Sequence, residues 1–372
     1  MNKILLIGTG NVGCHIIELL ARDTRQMEFF VADINEEKAA LQLNNAVIGA
    51  AHHGLHPNFH SEKMDLNNID QTAERIRQIQ PDVIINCAVI HTWHLIRMLP
   101  DDVYAKLSSA TLGAWLPVQL LLAYKVALAI KASGITAHYI NTSLSDLTNP
   151  VLGKIGLAPT VGVGNVDLIA PAIQTLAAQE LNVNRSEISV SLVAHHQHWV
   201  VPREAGYGAG APYFLKIMHG DQNITNQFKT DAVMHDAVKL YPPGLDFTLV
   251  TASSTIKNAF ALMSDEPTAT HAPGPLGLPG GYPVLINSSG AELNLPEDIS
   301  RDEAVALNEA SQKLDGVEEI KEDGTVIFVD YAAAIMKEML GFDCPKFEPA
   351  ECEDRAKELL SLYRAFAKKY TD

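Results

Sequence analysis

Three groups of residues in the 372-residue chain have the types and spacing for chemistry. Gly8-Thr9-Gly10-Asn11-Val12-Gly13 is a Gly-x-Gly-x-x-Gly turn, which suits the approach of a pyrophosphate to backbone amides. His195-His196-Gln197-His198-Trp199 carries three histidines within four residues, and Asp167 precedes His195 by 28 positions. A histidine beside a carboxylate is an acid/base that titrates near neutrality, because the carboxylate stabilises the imidazolium and sets the tautomer. The third group, His91, His94 and Arg97, is a basic and aromatic cluster suited to the mouth of a cleft for an acidic substrate, with Arg97 the preferred anchor.

These groups need particular elements beneath them. The apolar run Lys3 to Ile7 predicts a strand buried on both faces, leading into the glycine turn and a helix from Cys14 to Ala21. Gly8 permits the turn, Gly10 admits the pyrophosphate, and Gly13 lets the helix pack closely, while Asn11 and Val12 open the helix whose amides meet the phosphates. A second apolar run, Phe29 to Ala32, ends at Asp33, 20 residues beyond Gly13. A carboxylate there accepts bonds from the adenosine ribose hydroxyls and repels a 2′-phosphate, so NAD is the expected cofactor. The bland alternative is a solvated Asp at a strand end.

Further strands are predicted over Val83–Asn86 and 136–140, each followed by polar or small residues at its C-terminal end. Open parallel sheets bind ligands there, so Asn86, Cys87 and Ala88 are expected to line the cofactor ribose, and Asn141-Thr142-Ser143 the nicotinamide or the substrate. Alternating strands and helices predict an α/β fold, a Rossmann doubly wound parallel sheet over residues 1–147. A long helix from Ala114 to Ser133 belongs to that first domain, and an α+β substrate domain is expected over 148–372, with a helix from Asp167 through Leu181 and a strand over Ile188–Val193. Thr251 to Ser254 are expected at a helix N-terminus facing the cleft, Thr270 to Tyr282 as an irregular loop, and Glu351 to Tyr370 as an amphipathic helix. That helix packs on its own domain or on a neighbouring subunit.

Three uses of the histidines stay open: acid/base work by His196 or His195 with Asp167 orienting it, metal ligation, and packing. The first is preferred and no metal is assigned, since alternation sets His196 and His198 on one face with no third ligand in view.

Composition restricts the partners. A formal charge of −16 with no Lys/Arg block disfavours nucleic acid and anionic membrane surfaces. The apolar stretch Leu116 to Ile130 is interrupted by Gln119, Tyr124 and Lys125, which suits a buried helix better than a membrane span. Four scattered cysteines and an N-terminus that runs directly into a strand predict a cytoplasmic protein without a signal peptide.

The stretch from Asp65-Leu66-Asn67 to Asn86 resembles the corresponding part of short-chain and saccharopine-type dehydrogenases. More of the chain resembles the lactate/malate dehydrogenase superfamily, which includes the NAD-dependent family 4 glycosidases. Asn141 to Thr148 is similar to that family's Ser-Asn-Pro-Val-Asp-x-x-Thr, and Gly164-Asn165-Val166-Asp167 to its Cys-Asn-Leu-Asp. The histidine cluster stands where the family has its proton-relay histidine. Pro275 to Pro283, Gly290-Ala291-Glu292 and the helix Asp302 to Leu314 follow in the family's order. The resemblance implies hydride transfer between NAD and a small hydroxy acid or sugar derivative. Ala170 stands where the family's carboxylate-binding arginine belongs, so Arg203 or Lys257 is a candidate anchor beside Arg97. His196-Gln197-His198-Trp199 is also similar to the glycosidase branch's Asn-His-x-x-Trp, although Gly164 replaces that branch's metal-binding cysteine. The expected protein is a cytoplasmic homo-oligomer acting on a small molecule.

Overall fold

The computed structural model describes residues 2–204, 206 and 210–370, apart from the side chains of Trp93, His94 and Glu204. Alternating strands and helices build the first half: β1 (Asn2–Ile7), α1 (Asn11–Ala21), β2 (Met27–Asp33), α2 (Glu36–Ala51), β3 (Asn58–Lys63), α3 (Ile69–Ile79) and β4 (Val83–Asn86). A 3-10 turn, Trp93–Met98, leads to α4 (Asp101–Ser108), α5 (Leu116–Ser133), β5 (His138–Asn141), α6 (Ser145–Lys154) and β6 (Val161–Gly162). The six strands form one parallel sheet in the order β3-β2-β1-β4-β5-β6. That order reverses at β1/β4, and a doubly wound sheet binds ligands beyond the carboxyl ends of its strands at such a point. Ile4, Leu5 and Leu6 are inaccessible to solvent, as a strand covered by helices on both faces requires.

The second half contains α7 (Val166–Leu181), β7 (Ile188–Val193), α8 (Gln197–Glu204), β8 (Phe214–His219), β9 (Gln222–Asn223), α9 (Thr230–Lys239) and α10 (Thr248–Ala261). It continues through β10 (Thr268–Pro273), β11 (Gly281–Asn287), β12 (Gly290–Leu293), α11 (Arg301–Leu314), β13 (Val317–Ile320), β14 (Val326–Phe328), α12 (Asp330–Leu340), β15 (Lys346–Phe347) and α13 (Cys352–Ala367). Its strands make three small sheets, β7-β8-β9, β10-β11-β12 and β13-β14-β15. All strand pairs in them are antiparallel.

The expected division after residue 147 falls inside α6, and the sixth sheet strand, β6, lies beyond it. Apolar side chains of α5 and α13 share one core, and those of β1 and β11 share another, so neither core follows a cut at that point. Helix α5 is long and apolar enough to span a bilayer, but 72% of that stretch is buried in the fold, including the charged Lys125. The expected loop from Thr270 to Tyr282 instead contributes the ends of a β10–β11 hairpin, with the irregular backbone confined to residues 274–280. Gly and Pro punctuate that turn and do not exclude the flanking strands.

Candidate active site

The glycine turn is built by close approach. Gly8 lies at φ +101°, and a Cβ there would stand 2.7 Å from the Ala88 amide; a Cβ on Gly13 would stand 2.1 Å from the Gly8 carbonyl. Gly10 differs, because a Cβ there meets nothing within 4 Å. The turn is therefore packed against β4 on one side and open on the other, where α1 begins. Gly10 caps α1 with no side-chain hydrogen bond, which leaves the amides of the first turn, at Asn11 and Val12, directed at the open side. This is the arrangement a pyrophosphate needs.

Asp33 closes the turn from β2. One carboxylate oxygen accepts from the Thr9 amide at 2.8 Å and the Thr9 hydroxyl at 2.6 Å, and the other from the Asn35 amide at 3.0 Å. Burial alone would raise its pKa, but these hydrogen bonds outweigh it and hold the carboxyl below its ordinary range. A carboxylate has about four acceptor positions, so three bonds leave one for a ribose hydroxyl. The residues present thus fit a dinucleotide.

Two of the expected cofactor contacts are used otherwise. Asn86 and Asn141 are fully buried, and the Asn86 amide donates to the Asn141 carbonyl oxygen at 3.3 Å. Asn141 also donates to the Thr148 hydroxyl and to Asn149, each at 2.9 Å. Their amides lock the ends of β4 and β5 together, which occupies Asn86, expected at the ribose, and Asn141, expected at the nicotinamide or the substrate, with each other and with α6. Cys87 and Ala88 remain beside the glycine turn, as expected, with burial pushing the Cys87 thiol up to about 12. That thiol is protonated at neutral pH and is a packing group there.

The histidine cluster sits at the turn between β7 and α8. The main chain of Ala194 bridges to Gly281, and the strand then ends, so the three histidines splay and do not alternate on a strand. His195 is wholly buried, its two ring nitrogens make no hydrogen bond among the described residues, its Nδ1 lies 4.0 Å from the Asp315 carboxylate, and burial, opposed by that carboxylate, drives its pKa down to about 3. It is a neutral core group. His198 packs edge-on to Tyr213 and lies 3.4 Å from the Pro212 carbonyl. His196 lines a cavity, and its Nδ1 lies 3.3 Å from the Asp315 carboxylate.

The carboxylate beside His196 is therefore not Asp167. Asp167 points away, into a groove where it bonds Lys257, Ser254 and Thr270. Lys257 is accordingly an ion-pair partner, and Ser254 lies within α10, which starts earlier than expected, at Thr248. Burial raises Asp167 from its ordinary value, while Lys257 and the two hydroxyls oppose that shift. Asp315 takes the orienting place at the C-terminal end of α11, and its second oxygen accepts from Gln197 at 2.6 Å. Its backbone is pinned by the Gly113 amide, which donates to the Asp315 carbonyl at 3.0 Å; a Cβ on Gly113 would stand 2.0 Å from that oxygen.

A second buried carboxylate, Asp146, approaches from α6 and accepts from Asn165. Burial raises it to about 6, with His196 and Asn165 pulling the other way and Asp315 adding to the rise. His196 in turn is raised above an ordinary histidine: burial lowers it, and the hydrogen bond and charge of Asp315 with the charge of Asp146 more than compensate. Two non-glycine residues with left-handed backbone flank this group, Leu144 at φ 42° and Asn165 at φ 49°. Strained backbone of this kind is tolerated where the surroundings over-determine it.

The cavity in front of His196 measures about 210 Å³ and is lined by Thr92, Arg97, Trp199, Arg203 and Phe247, among others. The Arg203 guanidinium lies between the Trp199 and Phe247 rings, 4.8 and 4.7 Å from their centroids, and donates to the Pro242 carbonyl at 2.9 Å. Burial and the charge of Arg97 both lower its pKa, which places the two cations within each other's field. An arginine stays charged under such shifts, so the mouth of the cavity favours an anion. Arg97 thus lines the same cavity as His196, and so does Arg203, whereas Lys257, the other candidate anchor, does not. His91 is buried behind the loop, and the side chain of His94 lies outside the described residues.

Asp315, Asp146 and Gln197 escaped sequence analysis as site residues. Asp315 is 119 residues from His196 and looks like any polar residue after a helix. Asp146 had a signal, because it lies in the motif after β5 where ligands gather.

Residues 4–96 match the family described as the saccharopine dehydrogenase NADP binding domain. No curated protein matches the chain in sequence. Among solved structures it is similar to a lactate dehydrogenase from Eimeria maxima with NADH and oxamate, with TM-score 0.58 and 16% identity over 84% of this chain and 93% of that one. It is also similar to the malate dehydrogenase of Cryptosporidium parvum, at TM-score 0.54 and 18% identity over 84% of this chain and 98% of that one. The malate dehydrogenase of Plasmodium falciparum aligns over 97% of this chain and 99% of its own, at TM-score 0.53 and 14% identity. The chain therefore has a lactate/malate dehydrogenase-like fold whose N-terminal part is a nicotinamide dinucleotide-binding domain.

Proposed function

We propose that this protein is an NAD-dependent oxidoreductase that transfers a hydride between the nicotinamide and the hydroxyl-bearing carbon of a small anionic hydroxy compound, a hydroxy acid or a sugar acid. The observation that carries this reading is the meeting of His196, held by Asp315, with Arg97 and Arg203 around one small cavity. Asp315 accepts from Nδ1, which leaves Nε2 to take the hydroxyl proton as the hydride departs. Arg97 and Arg203 hold the substrate's anionic group, in place of the arginine absent at Ala170. Gly8, Gly10 and Gly13 seat the dinucleotide, Asn11 and Val12 supply amides, and Asp33 supports NAD over NADP through its carboxylate at the ribose. The bound nicotinamide supplies the hydride acceptor or donor.

The test is the purified protein with NAD and, separately, NADP against lactate, malate, glycerate, tartrate and gluconate, followed by absorbance of the reduced cofactor, with and without a chelator. NADH formed with an acid of this set, insensitive to chelation, supports the proposal. Reaction with NADP alone overturns the assignment of Asp33, and metal-dependent conversion of glycosides without net NADH moves the protein to the glycosidase branch.

We further propose a homo-oligomer in a reducing, cytoplasmic compartment. The first rests on exposed apolar Ile34, Leu41 and Ile48 beside and along α2, the second on four free cysteines. Sedimentation of the purified chain tests the former, with a monomer at micromolar concentration overturning it.

A further inference from the structure

Arg97, whose guanidinium lies 5.8 Å from the centroid of the Tyr104 ring on α4, is delivered to the cavity by a loop segment. That segment follows β4, enters the 3-10 turn Trp93–Met98, and brings Thr92 and Arg97 to the cavity that His196 also lines. Among the apolar side chains described in the turn, Leu95 and Met98 are exposed and Ile96 is buried. What ties its backbone to the body comes from elsewhere in the chain. The Tyr363 hydroxyl, on α13, donates to the Leu95 carbonyl at 2.9 Å. The Gln119 amide, on α5, donates to the His91 carbonyl at 3.3 Å, and its oxygen accepts from Ser143 at 3.0 Å.

Around these bonds lies an aromatic triad. His91 stacks on Trp115 at 5.5 Å, and the Tyr363 ring stands edge-on to both, at 4.9 Å from His91 and 5.4 Å from Trp115. Burial, with Arg364 nearby, lowers His91 to about 4, so the triad is uncharged at neutral pH. Helix α13 cannot drift, because Lys125 of α5 pairs with Glu353 at 2.9 Å and Leu359, Tyr363 and Phe366 are buried in the core. The C-terminal helix is thus a fixed post, and Tyr363 is where the cavity loop is fastened to it.

We propose that Tyr363 is a positioning residue for substrate binding: its hydroxyl, through the Leu95 carbonyl, sets the placement of the turn that carries Arg97. This rests on the reading of the cavity as an anion site under Arg97 and Arg203. Tyr363 does not reach the cavity, so its effect goes to affinity for the acid and leaves the dinucleotide and the proton transfer at His196 unchanged. A hydrogen bond of this kind corresponds to a loss of about 2- to 10-fold in affinity when removed.

The experiment uses the full chain with Tyr363→Phe, which keeps the ring and its stacking and removes only the hydroxyl. Hydrogen exchange is measured over residues 91–99, and binding of oxalate, as a small dianionic probe, is titrated in the presence of NADH through tryptophan fluorescence. The expected result is faster exchange confined to 91–99 and oxalate affinity weakened about 2- to 10-fold, with NADH affinity unchanged. In an Arg97→Gln background, Tyr363→Phe should then weaken oxalate no further, because its effect passes through Arg97.

Unchanged exchange over 91–99 overturns the proposal, whatever oxalate does. So does an equal, additive loss in the Arg97→Gln background. If exchange rises but oxalate binds neither wild type nor variants, the fastening of the loop stands, and the anion-site reading fails with the positioning role built on it. If Arg97→Gln weakens oxalate and Tyr363→Phe does not, the anion site stands and the positioning role fails.

Discussion

The glycine turn and the histidine site are assembled in opposite ways. Apart from the β4 end at Cys87 and Ala88 that backs Gly8, the parts of the turn lie between Gly8 and Asn35, on one strand–helix–strand unit, with Gly13 placed against Gly8 and Thr9 against Asp33. The histidine site draws on distant segments: His196 from the turn before α8, Asp315 from the end of α11, Asp146 from α6, Arg97 from the loop after β4. A site built locally announces itself by spacing, whereas one built from converging chain segments can exchange a partner without a visible change in any motif. Asp167 is the case in point, since it keeps the motif position of an orienting carboxylate but spends its charge on Lys257.

That contrast is sharpest in the response to substitution. His196→Asn should lower turnover by about 100-fold or more while dinucleotide affinity stays within error, as expected for removal of a general acid/base; steady-state rates alongside an NADH titration check it. A variant at full rate would remove His196 from the chemistry. Gly13→Ala acts on the other region and should do the reverse, because the added Cβ meets the Gly8 carbonyl and the turn must open. Loss of NADH binding is expected with about 1 to 3 kcal/mol of stability, read by calorimetry and thermal unfolding.

The exchange of carboxylates gives a finer test. Asp315→Asn should move the inflection in the pH dependence of hydroxy-acid oxidation downward, since Asp315 raises His196 and the reaction needs the neutral imidazole. Asp167→Asn should leave that inflection in place and cost about 1 to 3 kcal/mol of stability, less than breaking a fully enclosed pair because Lys257 reaches water. If Asp167→Asn shifts the profile and Asp315→Asn does not, the roles given to the two carboxylates are reversed.

Asp146 supplies the smallest expected effect, and its sign follows from linkage. The folded protein holds a proton on Asp146 up to about pH 6, against 3.8 for the unfolded chain, so the native state binds more protons across that interval and loses stability as pH rises through it. The loss amounts to at most about 3 kcal/mol. Asp146→Asn should flatten the stability profile between about pH 4 and 6, as measured by urea unfolding; an unaltered slope would show that Asp146 ionises normally.

Much of the framework was legible beforehand. Strands β4 and β7 fall where apolar runs, alternation and turn residues set them, and α5 stops at Gly134, which takes the left-handed backbone a helix end favours. Strand β10 and the first residues of β11 were not legible, because the glycines and prolines around the turn mask them. Nor was the use of Asn86 and Asn141, whose position at strand ends suits a ligand as well as it suits each other.

By itself, the sequence determined the alternating strands and helices of the parallel sheet, the dinucleotide turn with Asp33, and the presence of histidines after β7, since each is read from the pattern of a short stretch of chain. Tertiary structure alone decided which histidine meets the cavity, which carboxylate holds it, and that Arg203 would stand beside Arg97. Those choices depend on where α11, α6 and the loop after β4 come together, and the packing of the two cores sets that meeting, leaving no periodic trace in any one segment.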